Sequence, residues 1–137
     1  MKKLFERLRI KRPVFPQARR RCDLVVVSAI SDGEWPGMED LLDSLATYLD
    51  CAYETVVADD ATTDDSYERL LDAGCWVVRN PEKLFLEGND LTLRRAFSEA
   101  HRLFDAPIYL KIDPDALVID GGLLSALGAA FGAVVTA

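Results

Sequence analysis

No apolar run in these 137 residues approaches the roughly 20 needed to cross a bilayer, which excludes a helical membrane span. The basic N-terminus is not followed by a continuous apolar segment, so a secretory signal is not expected either, and the expected location is the cytoplasm. Cysteine is scarce: Cys22, Cys51 and Cys75 are odd in number, widely spaced and free of any C-x-x-C pair. That pattern excludes a disulfide framework or a zinc site and leaves reduced, mostly buried thiols. The single histidine, His101, has no partner pattern around it and is expected to be a surface or half-buried residue rather than a base. Cations are few beyond residue 21, where seven face 22 carboxylates, so nucleic acid is not an expected partner of the body of the chain.

The cations that are present gather at the start. Residues 1–21 hold nine of them against Glu6 alone, a net charge of +8 ahead of a body at −15. Met1, Leu4, Phe5 and Leu8 follow helical spacing with cations on the other face, and Pro13 and Pro16 stop the helix. Residues 1–21 thus read as a basic amphipathic arm and linker. Residues 1–12 offer peripheral contact with anionic lipid at the inner membrane surface, where each cation adds about 1 kcal/mol. A solvated leader, or a tail lying on the acidic body, is the plainer reading.

From residue 22 onward strand and helix signals alternate. Leu24 to Ser28, Glu54 to Ala58, Cys75 to Val78 and Pro107 to Ile112 read as strands, and Ala133 to Thr136 as a last one. Met38, Leu41, Leu42, Leu45 and Leu49 mark one helix face, and Leu93, Ala96, Phe97, Ala100, Leu103 and Phe104 another. Asp65 and Glu68 have capping-box spacing before a short helix ending near Gly74. Leu123 to Phe131 reads as a helix behind the Gly121-Gly122 turn. This alternation predicts an α/β fold, a mostly parallel, Rossmann-like sheet with helices on both faces.

Ligands of such sheets bind beyond the carboxyl ends of the strands. Ser28 after the first strand, Asp59-Asp60 after the second and Asp113-Pro114-Asp115 after the fourth should meet there. Two carboxylates one residue apart form a hard-oxygen site for Mg²⁺ or Mn²⁺, completed by substrate phosphate and water. Lys111 alternates away from the core or neutralises these carboxylates. Trp35 reads equally as a ring-stacking residue or as a loop plug on the first helix, and Arg94 and Arg95 as a solvated helix face.

Val56-Val57-Ala58-Asp59-Asp60-Ala61-Thr62-Thr63-Asp64, Val78-Arg79-Asn80-Pro81-Glu82 and Asp113-Pro114-Asp115 together resemble the donor half of a family 2, GT-A type glycosyltransferase. The resemblance covers Asp23 to the C-terminus and makes 22–137 a partial nucleotide-sugar-binding domain. It implies an enzyme that transfers sugar from a nucleotide diphospho-sugar, usually a UDP-sugar, to a glycan, lipid or protein acceptor. It further implies that Asp113 and Asp115 hold Mn²⁺ or Mg²⁺, and that Ser28, Asp59, Asp60, Asn89 and Arg94 contact the nucleotide or its phosphates. The general base comes in that family from a second half beyond this sequence. The chain departs from the family in reading Ser28-Ala29-Ile30-Ser31 in its first loop, and in having Phe85 where a glycine is common. A phosphatase of the haloacid-dehalogenase kind is disfavoured by Leu117 and by the late position of the motif. A non-catalytic nucleotide-binding module or truncated remnant is the alternative, and an incomplete sheet would self-associate through its edge.

Overall fold

The computed structural model describes residues 18–131. In chain order its elements are β1 (Arg20–Arg21), β2 (Leu24–Ile30), α1 (Trp35–Tyr48), β3 (Tyr53–Asp59), α2 (Ser66–Asp72), β4 (Trp76–Arg79), a 3₁₀ turn (Leu86–Gly88), α3 (Asn89–Leu103), β5 (Phe104–Asp105), β6 (Tyr109–Lys111) and α4 (Leu123–Phe131). The residues expected to form most of the N-terminal arm and the last strand, 1–17 and 133–136, lie outside those described. None of the described helices is long and apolar enough to cross a membrane.

Four strands form one parallel sheet in the order β4-β3-β2-β6. The valine-rich β2 lies in its interior, with Val26 opposite Thr55 of β3 and Leu110 of β6. Buried on both faces, it reads as a continuous apolar run, as central parallel strands do. One face packs Leu24, Val26 and Val57 against Met38, Leu41 and Leu45 of α1, Leu70 of α2 and Leu124 of α4. The other packs Val25, Val27, Val56 and Ala58 against Ala96 and Ala100 of α3. Fully burying one such leucine contributes about 1.5–3 kcal/mol.

Several boundaries differ from the sequence reading for physical reasons. Phe104 does not end the long helix; it starts β5, which pairs with β1 through Arg20 opposite Phe104. Among the described residues, paired chain therefore begins at Arg20, within the segment read as linker. Arg19 reinforces this by donating from Nε to the Phe104 carbonyl oxygen at 2.9 Å. The capping box does not form: Asp65 makes no side-chain cap and instead accepts from Arg69 Nε at 2.8 Å. The α2 N-terminus is served by Asp64, whose Oδ1 accepts from the Ser66 amide at 3.0 Å. At its other end Gly74, at φ +83°, closes a Schellman motif in which the Cys75 amide donates to Leu70 O and that of Gly74 to Leu71 O. Ala116 to Ile119 forms a loop, in which the buried Val118 donates its amide to Ser44 Oγ at 3.1 Å. Of the cysteines, all free, Cys75 is buried and burial pushes its thiol pKa up, whereas Cys22 and Cys51 are half-buried.

Candidate functional site

The helices α1 and α2 connect β2, β3 and β4 along one face, after which α3 crosses to the other before the chain enters β6. The chain thus winds away from β2 in both directions, and β2 and β6 flank a topological switch point, where the loops at the carboxyl ends of the strands diverge and leave a crevice. A cleft of about 220 Å³ opens there. Its walls are Ile30 at the end of β2 and Ser31 after it, Asp60 after β3, Phe85 and Leu86, Asn89 and Thr92 of α3, and Lys111, Asp113 and Pro114 at and after the end of β6.

Asp60 organises one wall. Its Oδ1 accepts from the Leu84 amide at 2.8 Å and Asn80 Nδ2 at 2.9 Å, and its Oδ2 from the Phe85 amide at 3.0 Å. Burial pushes its pKa upward, but the Leu84 amide, the Asn80 side chain, the Phe85 amide and the nearby Lys83 together outweigh burial and hold it below the ordinary value. Asn80, 2% exposed, extends the network: its Nδ2 also donates to Thr92 Oγ1 at 2.8 Å, and its Oδ1 accepts from Arg95 Nη1 at 2.8 Å. The loop so fixed carries Phe85 at φ +56° and ψ −165°, a region that is nearly glycine-only. At the position where glycine is common in the family that the sequence resembles, the chain holds a phenylalanine in a glycine's conformation.

A second carboxylate ties the neighbouring loops. Asp32 accepts from the Thr63 amide at 2.6 Å and the Asp64 amide at 3.2 Å, and forms an ion pair with Lys83. In return Asp64 accepts from the Gly33 amide at 2.9 Å. The Lys83 ammonium, then the Thr63 amide, hold the Asp32 carboxyl well below the usual range; the Gly33 amide, then Ser66, lower that of Asp64.

The expected site residues divide. Asp60, Asn89 and Asp113 line the cleft. Ser28 does not lie after the strand: β2 runs two residues further, leaving Ser28 2% exposed in the sheet with no hydrogen-bond partner for Oγ among the described residues. Asp59 is also turned away, since neighbours on a strand alternate. It is fully buried, accepts from the Thr62 amide at 2.9 Å and lies 3.5 Å from Arg79 Nε. Arg94 is exposed and does not line the cleft; at 3.6 residues per turn it sits about 200° around the helix from Thr92. Asp115 is exposed beside Asp113, outside the lining. Trp35 is the loop plug: it starts α1, packs on the core and lies 5.8 Å from the Arg69 guanidinium. His101 is exposed, stacked on Tyr109 at 4.0 Å between centroids.

No family model matches the chain, and neither does any curated protein. Among solved structures it resembles TarS 1–349 of S. aureus in complex with UDP, with a TM-score of 0.62 and 21% identity over 80% of this chain and 32% of that one. It also resembles the mannosyltransferase PcManGT of Pyrobaculum calidifontis in complex with GDP-Man and Mn²⁺, with a TM-score of 0.59 and 22% identity over 91% and 37%. A third is glucosyl-3-phosphoglycerate synthase of Mycobacterium tuberculosis, solved with Mn²⁺, UDP and glucosyl-3-phosphoglycerate, with a TM-score of 0.53 and 21% identity over 80% and 39%. The chain has a GT-A-type fold. It spans about a third of the length of these proteins.

Within the GT-A fold, the close approach of α1 to the Asp113-Pro114-Asp115 loop is a feature the sequence reading passed over. A Cβ on Gly37 would stand 2.7 Å from the Pro114 carbonyl oxygen, so only glycine admits the loop there. Asn80, Thr92, Asp32 and Lys83 were also passed over as site builders. Asn80 has a sequence signal, a polar residue ending a strand just before a proline; the others have none, because their partners are distant in sequence. Among the described residues no three His, Cys, Asp or Glu side chains converge as a metal cage. Two exposed carboxylates still suit Mg²⁺ or Mn²⁺ in kind and number, since such ions take one or two carboxylates and complete their shell with phosphate and water.

Proposed function

We propose that the cleft receives a nucleotide diphospho-sugar, a UDP-sugar in the simplest case, as donor for glycosyl transfer. The observation that supports this most is the convergence of Asp60 and Asp113, from two different strand ends, on one cleft at the switch point of a GT-A fold. In this reading Asp113 and Asp115 hold Mn²⁺ or Mg²⁺ against the diphosphate. When bound, the ion neutralises charge that grows on the departing nucleoside diphosphate. Asp60 and Asn89 face the nucleotide, while Asp59 and Ser28 support the wall from behind. Ile30 and Ser31 take the contacts expected of Ser28, and Arg94 is left without a donor contact.

The reading is confined to donor binding, because the chain spans about a third of each protein it resembles. The acceptor, whether glycan, lipid or protein, and the base that deprotonates it are assigned to no residue here. Turnover in the presence of an acceptor separates a transferase from a nucleotide-binding module without catalysis. The deciding test is calorimetric titration of UDP, with and without Mn²⁺, into the chain and its Asp113→Ala, Asp115→Ala double variant. Metal-dependent binding that the double variant loses is expected. A folded sample that binds neither UDP nor GDP overturns the proposal.

A further inference from the structure

We propose that Lys111 is a diphosphate-binding residue that exchanges partners, leaving Asp113 for the donor's phosphates when a divalent ion takes its place. The inference rests on the donor-site reading above and adds a residue to it. Lys111 lies at the carboxyl end of β6 opposite Val27, whose side chain packs on the α3 face of the sheet. Alternation therefore places the lysine on that face, where Asn89 and Thr92 begin α3, and its side chain lines the cleft with them. There its ammonium forms an ion pair with Asp113, the two side chains being 40% and 60% exposed.

Charge makes this pair more than a surface contact. The lining contains the carboxylates of Glu34, Asp60 and Asp113, and Lys111 is the only cation among the described residues that line it. Of the neighbouring cations, Lys83 is paired with Asp32, Arg79 with Asp59 and the Thr62 carbonyl, and Arg95 with Asn80, while Arg94 is exposed on α3 outside the lining. An anionic diphosphate entering this acidic cleft needs positive charge beyond that of one divalent ion. A divalent ion on Asp113 in turn repels the ammonium already there, and the two cations cannot share the carboxylate at low cost. Releasing Lys111 toward the diphosphate resolves both conflicts at once. Metal and nucleotide then bind cooperatively, each favouring the arrangement the other requires.

The test compares wild type, Lys111→Met and Lys111→Arg in two titrations. One follows Mn²⁺ alone by the loss of its free-ion electron paramagnetic resonance signal. The other follows UDP at saturating Mn²⁺ by calorimetry. Removing the ammonium should tighten Mn²⁺ alone severalfold, because its competitor is gone, yet weaken UDP by about tenfold or more, the scale of a charge-assisted hydrogen bond to phosphate. Lys111→Arg should recover most of the UDP affinity. Opposite signs in Lys111→Met are the signature, because a loosened loop weakens both ligands together. No gain in Mn²⁺ binding, or UDP affinity within about twofold of wild type, overturns the exchange. Mn²⁺-dependent UDP binding by wild type that Asp113→Ala, Asp115→Ala abolishes keeps the donor-site reading even then; its absence in wild type removes both.

Discussion

The strained Phe85 offers a quantitative test of how the cleft wall is held. At φ +56° and ψ −165° a phenylalanine carries about 1–3 kcal/mol of backbone strain. Its side chain is 67% exposed, so truncation forfeits little burial. Phe85→Gly should therefore relieve the strain at an entropic cost of about 0.5–1 kcal/mol, leaving the protein as stable as wild type or up to about 2 kcal/mol more so. The strain persists because Asp60 holds the Leu84 and Phe85 amides, and Asp60→Ala removes the acceptor of three hydrogen bonds. Its cost should be about 2–4 kcal/mol, less than three full desolvation penalties because the two amides are only part-buried. Once Asp60 is gone, Phe85 is free to relax, and Phe85→Gly then adds only its entropic cost. The double-mutant cycle should thus show a coupling of about 1–3 kcal/mol. The assay is urea unfolding, read as a shift in midpoint at constant slope. Phe85→Gly destabilising the wild type by more than about 1 kcal/mol, or a coupling below about 0.5 kcal/mol, refutes the reasoning.

Three further outcomes follow from other parts of the wall. Gly37→Ala in an unobstructed helix should stabilise by about 1 kcal/mol, but here the new methyl meets the Pro114 carbonyl oxygen. It should give no gain in urea midpoint and should weaken Mn²⁺-dependent UDP binding; a more stable variant with unchanged binding contradicts the packing. Ser28→Ala removes a buried hydroxyl that has no partner among the described residues, so stability should be unchanged or up to about 1 kcal/mol higher and UDP affinity the same. Weakened UDP binding in a stable Ser28→Ala would instead restore Ser28 to the site. The carboxyls of Asp32, Asp60 and Asp64 are all held below their ordinary value, so their contribution is complete above the unfolded-state pKa of about 4 and is lost as pH falls below it toward the folded-state value. Thermal melts should be level from neutral pH to about 5 and then fall, and Asp60→Ala should melt lower at pH 7 with a shallower acid decline. An undiminished decline assigns acid sensitivity elsewhere.

What could be read in the sequence was whatever depends on local period. The apolar spacing of α1, that of α3 and the run that forms β2 each rest on residues within about a dozen positions, so the elements of the parallel sheet and the strand ends at which the cleft opens were legible. What failed was finer than the period. Asp59 and Asp60 looked like one acidic pair, yet a strand sends neighbours to opposite sides, and only Asp60 faces the cleft. Ser28 was misplaced because β2 extends to Ile30, which turns an expected loop residue into a buried one. Arg94 was misplaced by helix phase, since Asn89, Thr92 and Leu93 form the stripe that reaches the cleft. The β1–β5 pair has two residues per strand, too few for any pattern. Asp32 and Gly37 act on partners 31 and 77 positions away, Thr63 and Pro114, and such pairings exist only once the sheet has formed.

The ties around the cleft are unevenly shared, and this bears on how the proposed donor would be held. The loop after β2 is bound to the loop after β3 by Asp32 and Asp64, and both are bound to the loop after β4, through Lys83 and through Asp60. Those three loops behave as one unit, because moving any of them breaks charge-assisted bonds in the next. The loop after β6 is fastened differently. Asp113 has its ion pair with Lys111 and its carbonyl accepts the Ala116 amide, while attachment to α1 comes further along, at Val118, at the approach of Pro114 to Gly37 and at that of Gly121 to the Tyr48 carbonyl. A rigid wall of backbone amides and Asp60 suits recognition of a base and ribose, whose shape is fixed. A carboxylate pair on a more loosely tied loop suits an ion and a diphosphate whose positions adjust to each other. Amide hydrogen exchange should separate the two, with Thr63, Leu84 and Phe85 protected in the free protein and Asp115 and Leu117 gaining protection only when Mn²⁺ and UDP are both present. Equal protection at all five amides in the free protein would show the Asp113 loop to be as fixed as the wall opposite, and the partner exchange at Lys111 would then have to occur without any movement of the backbone that carries it.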